Sequence, residues 1–164
     1  MQAVLEYSAM AQFNTKEEFM EGNLFDFIEE YAMNILNRSD RLKVQVVRSD
    51  TEGIEMKFVP QNIAIILDNV VSNSTKYNAN ELRVLLGKDE KQYTIDFIDD
   101  GDGVSSDIAD LNELFEFGKG YTLTGTGVGL YHIKDIVEKD LQGTVTIESE
   151  PQKGFALHVR FGKV

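Results

Sequence analysis

The chain has 164 residues, 42% of them hydrophobic, with no cysteine and with 28 acidic against 16 basic residues, a net charge of −12. This length fits one domain with a single sizeable core. The missing cysteines exclude disulfides and thiolate metal sites, and the acidic balance argues against general nucleic-acid binding, which needs a basic face. No apolar run approaches the roughly 20 residues that span a bilayer. The stretch from Met1 to Met10 lacks the basic start and apolar core of a secretory signal. A cytoplasmic location, as a free protein or as the cytoplasmic part of a membrane-bound one, is the expectation, without membrane contact by this segment.

In chain order, Met1 to Phe13 has a helical pattern but is too short to stand alone. Asn14 to Asn23 is expected as a polar connector. Leu24, Phe27, Ile28, Tyr31 and Ile35 recur at helical spacing. Lys43 to Val47 alternates as a strand, Thr51 to Gly53 forms a turn, and Ile54 to Phe58 is a second strand. Pro60 opens a helix, where its missing N–H is harmless, with Ile63, Ile66, Leu67, Val70 and Val71 as the buried stripe. Leu82 to Leu86 and Tyr93 to Ile98 form a strand pair. A short helix is expected over Ile108 to Leu114, then a Gly-rich charged loop from Phe115 to Thr126. A helix over Val128 to Lys139 is followed by strands Thr144 to Ser149 and Phe155 to Phe161. The sum is an α+β fold: a two-layer sandwich with a mixed, mostly antiparallel sheet of about five strands and helices on one face.

Three clusters carry chemistry. In the first, Asn69, Asn73, Lys76 and Tyr77 lie at i, i+4, i+7 and i+8, on one helix face. An Asn carbonyl oxygen is a neutral hard ligand suited to Mg²⁺, and Lys76 is suited to a phosphate; a solvated helix face explains the same residues. The second is Asp99-Asp100-Gly101-Asp102-Gly103 after a strand. So many carboxylates repel phosphate but can accept from an amino group, and the glycines let backbone approach a flat ring. An ordinary acidic turn remains the alternative; a calcium loop fails because Ile98 holds the third ligand place and no Glu closes it. The third, Gly125-Thr126-Gly127-Val128-Gly129-Leu130, leads into a helix, where free N–H groups and the helix dipole favour an anion. It is neither a dinucleotide fingerprint nor a P-loop, and a flexible loop before a helix is the plain alternative.

Taken together and in this order, the clusters resemble the N, G1 and G2 boxes of the Bergerat ATPases, the superfamily of gyrase B, the Hsp90 chaperones, histidine kinases and MutL. The resemblance runs from Pro60 to Phe161. Phe115-Glu116-Phe117 is similar to the F box of histidine kinases, and the run GTGVGLYHIKDIV from Gly125 to Val137 resembles their version of the third cluster. The chain is thus identified as resembling the catalytic ATP-binding domain of a bacterial sensor histidine kinase.

The resemblance implies ATP and Mg²⁺ as ligands, with Asn73 as the metal ligand. Asn69 stands where the gyrase and Hsp90 branch carries a catalytic Glu. An Asn cannot activate water, so transfer to an external nucleophile is expected rather than hydrolysis. Lys76 and Tyr77 match the phosphate-side lysine and a nucleotide-contacting aromatic. Asp99 matches the acceptor of the adenine amino group, with Gly101, Gly103 and Val104 in the G1 box. Phe115 to Thr124 corresponds to the ATP lid, with Lys119 standing in for a basic residue after the F box. Gly125, Thr126, Gly127, Val128, Gly129 and Leu130 correspond to the phosphate-side loop.

The sequence departs from the family pattern in three ways. The F box lacks its second half, the last-strand Thr near the adenine Asp is expected at Ala156, and the phosphoacceptor His is missing. His132 and His158 lie in the wrong places and are expected to be structural. Residues 1–20 are therefore expected as a remnant of a dimerisation hairpin and its connector, and residues 21–164 as the catalytic domain. The implied partners are a phosphoacceptor His domain of the same full-length kinase and, through it, a response regulator. The fragment is expected to be monomeric and the full-length protein a homodimer. Two other readings of the same fold are an anti-sigma-factor-type serine kinase and an ATP-dependent switch without phosphoryl transfer.

Overall fold

The computed structural model describes residues 18–38, 40–105, 108, 110–116 and 129–162. Strand β1 (Met20–Asn23) runs into helix α1 (Leu24–Asn34), then β2 (Lys43–Arg48), β3 (Glu55–Phe58), helix α2 (Pro60–Lys76), β4 (Glu81–Lys88), β5 (Tyr93–Asp99), a 3₁₀ turn at Leu111–Phe115, helix α3 (Gly129–Asp140), β6 (Thr144–Ser149) and β7 (Phe155–Phe161). The helix expected at residues 1–13 lies outside the described residues.

Five strands form one sheet in the order β2-β4-β5-β7-β6. Only β2 and β4 pair in parallel; the other pairs are antiparallel. Alternation sorts the side chains: Leu82, Val84 and Leu86 of β4, Ile95 and Phe97 of β5, and Leu157, Val159 and Phe161 of β7 are all buried. They join Phe25 and Ile28 of α1, Ile63, Leu67 and Val70 of α2, and Ile133 and Val137 of α3 in one core. The α+β sandwich with a five-stranded mixed sheet is therefore the observed architecture.

Two expectations change. Asn14 to Asn23 is not all connector, since Met20–Asn23 pairs antiparallel with Glu55–Phe58 as a separate two-stranded sheet. A four-residue strand without an apolar run carries no periodicity signal, and only its partner reveals it. The strands flanking Thr51 to Gly53 consequently join different sheets. The short helix expected over Ile108 to Leu114 is instead the 3₁₀ turn Leu111–Phe115, started by Asp110, whose side chain accepts from the Asn112 N–H.

Local chemistry sets the ends of the elements that frame the site. Pro60 starts α2, as expected, and Tyr77 closes it. Asn23 caps α1 by accepting from the Asp26 N–H at 3.1 Å. Asn62 of α2 donates to Asp140 at the end of α3 over 2.7 Å, tying the two helices together.

Candidate functional site

Asp99 ends β5 on its buried side and is 7% exposed. A carboxylate there must be surrounded by donors. Its Oδ1 accepts from the Gly101 N–H at 2.9 Å and the Phe155 N–H at 3.2 Å, and its Oδ2 accepts from the Ser74 hydroxyl at 2.8 Å. Sequence reasoning passed over Ser74 as a site residue. The available signal was its register: Leu67, Val70 and Ser74 lie at i, i+3 and i+7, so a hydroxyl sits on the buried stripe of α2.

The β5–β7 register corrects one expectation. The last-strand residue opposite Asp99 is Phe155, while Ala156 pairs with Ile98 and Glu148 on the other face. A shift of one residue exchanges the faces, and the sequence around Gly154 does not fix that register.

The three carboxylates of the acidic cluster have separate tasks. Asp100 turns outward and accepts from the N–H groups of Asn80 at 2.8 Å and Glu81 at 3.0 Å. These bonds, that from Glu81 first, hold its carboxyl below the usual range against the opposing effect of desolvation. Asp102 accepts from the Asn78 side chain at 2.7 Å, and its N–H donates to the Tyr77 carbonyl at 2.8 Å. Gly101 packs against the same carbonyl: a Cβ there would come within 2.6 Å of it. Gly103 has φ +73° and lies against the carbonyls of Glu150 and Gly154. Val104 is buried, and its N–H donates to the Ser149 hydroxyl at 3.0 Å.

The polar face of α2 leads away from this cluster. Asn69 and Asn73 are half-buried, and neither side-chain amide has a hydrogen-bond partner among the described residues. Asn69 Oδ1 lies 3.4 Å from where a Cβ on Gly129 would sit, so the helix face meets the first turn of α3. Lys76 is exposed, makes no ion pair with a described residue, and has its pKa lowered by partial desolvation. Tyr77 is half-buried, and that burial raises its phenol pKa. Leu130 packs against the core, and Phe115 is itself a core residue with the Lys134 ammonium 5.4 Å from its ring centroid. The sequence contained no sign of that cation–π contact.

Thus Asp99, Gly101, Gly103 and Val104 meet the C-terminal end of α2 and the β6–β7 turn, while Asn69 meets Gly129. Phe117, Lys119, Gly125, Thr126, Gly127 and Val128 lie outside the described residues. A cleft of about 460 Å³ opens beside Asp99, with Leu111, Ile147, Ser149, Lys153 and Phe155 in its walls.

Neither histidine touches this cluster. His158 faces the other side of the sheet, its Nδ1 2.6 Å from Asp96 Oδ1, which also accepts from Arg160 at 2.8 Å. His132 lies on α3 beside Tyr131. Among the described residues no three His, Cys, Asp or Glu side chains group as a metal cage. A neutral amide such as Asn73, without a hydrogen-bond partner among the described residues, fits a cation that keeps water and phosphate oxygens as its other ligands. No helix among the described residues is long and apolar enough to cross a membrane.

Comparison with known proteins points the same way. A family model described as histidine kinase-, DNA gyrase B-, and HSP90-like ATPase matches residues 58–163, more than half of the chain. The sensor protein kinase PilS of Pseudomonas aeruginosa is 27% identical over 96% of this chain and 30% of its own length. The heme sensor protein HssS of Staphylococcus saprophyticus is 27% identical over 90% of this chain and 34% of its own. The chain thus spans about a third of these relatives. Among solved structures, the catalytic domain of histidine kinase ThkA superposes with a TM-score of 0.70 at 19% identity, covering 89% of this chain and 96% of that one. The ATP-binding domain of PrrB from Mycobacterium tuberculosis gives 0.69 at 19% identity, covering 89% and 98%.

Proposed function

This chain belongs to the histidine kinase-, DNA gyrase B-, and HSP90-like ATPase family, as an ATP-binding catalytic domain of the sensor histidine kinase kind, and from that premise we propose how its residues bind Mg·ATP and serve transfer of the γ-phosphoryl group to a His on a separate domain. The observation that carries this reading is Asp99. Its carboxylate is fixed as an acceptor by three donors, at the end of a helix whose Asn face leads to the N-terminus of α3.

Asp99 accepts from the amino group of adenine, and Gly101, Gly103 and Val104 form the wall against the base. Asn69 and Asn73 line the way to the phosphates, with Lys76 and Tyr77 both one turn beyond Asn73. Gly125, Thr126, Gly127 and Val128, with Gly129 and Leu130, offer backbone N–H groups and the positive end of α3 to the phosphates. Phe115 anchors the start of a lid that carries Lys119. A Mg²⁺ held by Asn73 would neutralise phosphate charge.

Neither Asn69 nor any other residue of that helix face is a base able to activate water, which favours an acceptor outside the chain. In the transfer the bond from the γ-phosphorus to the bridging oxygen breaks, ADP leaves with that electron pair, a phosphorus–nitrogen bond forms from the lone pair of the acceptor imidazole, and the proton on its other ring nitrogen passes to a base of the acceptor's own domain. His132 and His158 make no contact with Asp99's cluster among the described residues, and His158 is engaged with Asp96 on the other face of the sheet. The acceptor therefore belongs to a dimerisation domain of the full-length, homodimeric kinase, which passes the phosphoryl group to a response regulator. Residues 1–20 are proposed as the end of that dimerisation hairpin and its connector, residues 21–164 as the catalytic domain, monomeric by itself and working in the cytoplasm.

Titration calorimetry with ATP, with and without Mg²⁺, tests the site. Asp99→Asn should weaken ATP at least tenfold, and Asn73→Asp should alter the metal dependence; wild-type binding by both variants would refute the assignment. Adding the separate His-bearing domain tests transfer. Binding without transfer would move the reading to a nucleotide-dependent switch.

A further inference from the structure

Ser74 is 1% exposed, in the last turns of α2, and its hydroxyl has one proton to donate. A Ser inside a helix commonly bonds back to a carbonyl of its own helix. This one instead reaches across to β5 and donates to Asp99 Oδ2 at 2.8 Å. An ionised carboxylate has about four acceptor sites. Two N–H groups, of Gly101 and Phe155, share Oδ1, and Ser74 occupies one site on Oδ2. A single acceptor site on Oδ2 remains.

We propose that Ser74 is the positioning residue that makes Asp99 selective for a 6-aminopurine over a 6-oxopurine. The proposal rests on the adenine-binding reading of Asp99 given above. With Oδ1 pinned by backbone and Oδ2 by Ser74, the carboxylate cannot turn about its Cβ–Cγ bond, and its one open lone pair meets one N–H. An exocyclic amino group supplies that N–H. A 6-oxopurine places a carbonyl oxygen there instead, and two acceptors repel. Without the hydroxyl, Oδ2 regains a second acceptor site and a rotational degree of freedom, and the carboxylate can turn to meet the N1–H of a 6-oxopurine. A site that discriminates through a buried polar group loses discrimination when that group is freed.

Adenosine diphosphate and inosine diphosphate differ at the base and not in their phosphates or metal, so their affinity ratio isolates the effect. Titration calorimetry on the 164-residue chain in Mg²⁺ buffer should show the wild type favouring ADP. Ser74→Ala should reduce the ADP-to-IDP ratio about tenfold while the far-UV circular dichroism stays unchanged. Ser74→Cys, similar in shape with a weaker donor, should give an intermediate ratio and serves as the second variant if the alanine form does not fold. A purely structural role for Ser74 would weaken both nucleotides equally. An unchanged ratio in both variants, beside a wild type that prefers ADP, overturns the role of Ser74 and leaves the nucleotide site standing. A wild type that binds neither nucleotide overturns the nucleotide site and this inference with it.

Discussion

Asp99 and Phe155 stand directly opposite each other in the β5–β7 ladder, and the Phe155 N–H donates to Asp99 Oδ1 at 3.2 Å. The acid is thus built into the sheet as well as into the site, and the two roles separate by mutation. Asp99→Ala leaves the Gly101 and Phe155 N–H groups and the Ser74 hydroxyl without their acceptor in a buried place. That should cost about 3 kcal/mol of unfolding free energy. Asp99→Asn keeps an oxygen for the backbone donors and should cost about 1 kcal/mol. Urea denaturation at neutral pH checks the pair; equal losses would show that the acceptor atom is not what matters.

Gly103 gives a second prediction. Its φ of +73° is one that side chains disfavour, and a Cβ would press on the carbonyls of Glu150 and Gly154. Backbone carbonyls cannot step aside as a flexible side chain can. Gly103→Ala should therefore destabilise the fold by about 2 kcal/mol or more, and nucleotide affinity should fall with it because Val104 follows directly. A thermal melt within one degree of wild type would contradict this.

Acid stability follows from Asp100 and Asp89. Asp100 is held low by the Glu81 and Asn80 N–H groups, and Asp89 by those of Lys91 and Gln92. A carboxyl whose folded pKa is depressed contributes stability above its unfolded value of about 3.9. That stability is lost as the pH falls through the lower folded value. The urea midpoint should stay level above about pH 5 and decline below about pH 4. Asp100→Asn keeps an accepting oxygen but not the charge, so it should lose a small part of the stability at pH 7 and flatten the acid decline by the same amount. An identical acid slope in the variant would exclude Asp100 as a contributor. Both groups are exposed, so the effect is expected to be small.

His158 supplies a control on the far side of the sheet. Its Nδ1 meets Asp96, while its Nε2 is buried without a hydrogen-bond partner among the described residues, 3.5 Å from Glu148 Oε1. His158→Ala should cost about 1 kcal/mol of stability and leave ATP affinity unchanged, since Arg160 still holds Asp96. A loss of binding would require coupling through the sheet.

Much of the fold was legible because periodic burial is local. The stripe Ile63, Ile66, Leu67 and Val70 predicted the buried face of α2, and the alternation of β6 and β7 predicted their bounds as observed. Met20–Asn23 was not legible, because a four-residue edge strand announces itself only through its partner. In the site, Asp99, Gly101, Asn69 and Asn73 stood out as residue types in a recognisable order. Ser74 did not, because a small polar residue acquires meaning only from what it faces, and Asp99 is 25 positions away.

The sequence by itself determined the layers, the helix faces and the order of the acidic and glycine clusters, all of which depend on spacing along one element. The tertiary structure alone decided that Phe155 rather than Ala156 stands beside Asp99 and that Ser74 completes its donors. Those outcomes depend on strand register and on a helix packed across the sheet, which are contacts between distant parts of the chain. Local propensity cannot specify such contacts, because a shift of one residue leaves the composition of every element the same and reverses what each side chain meets.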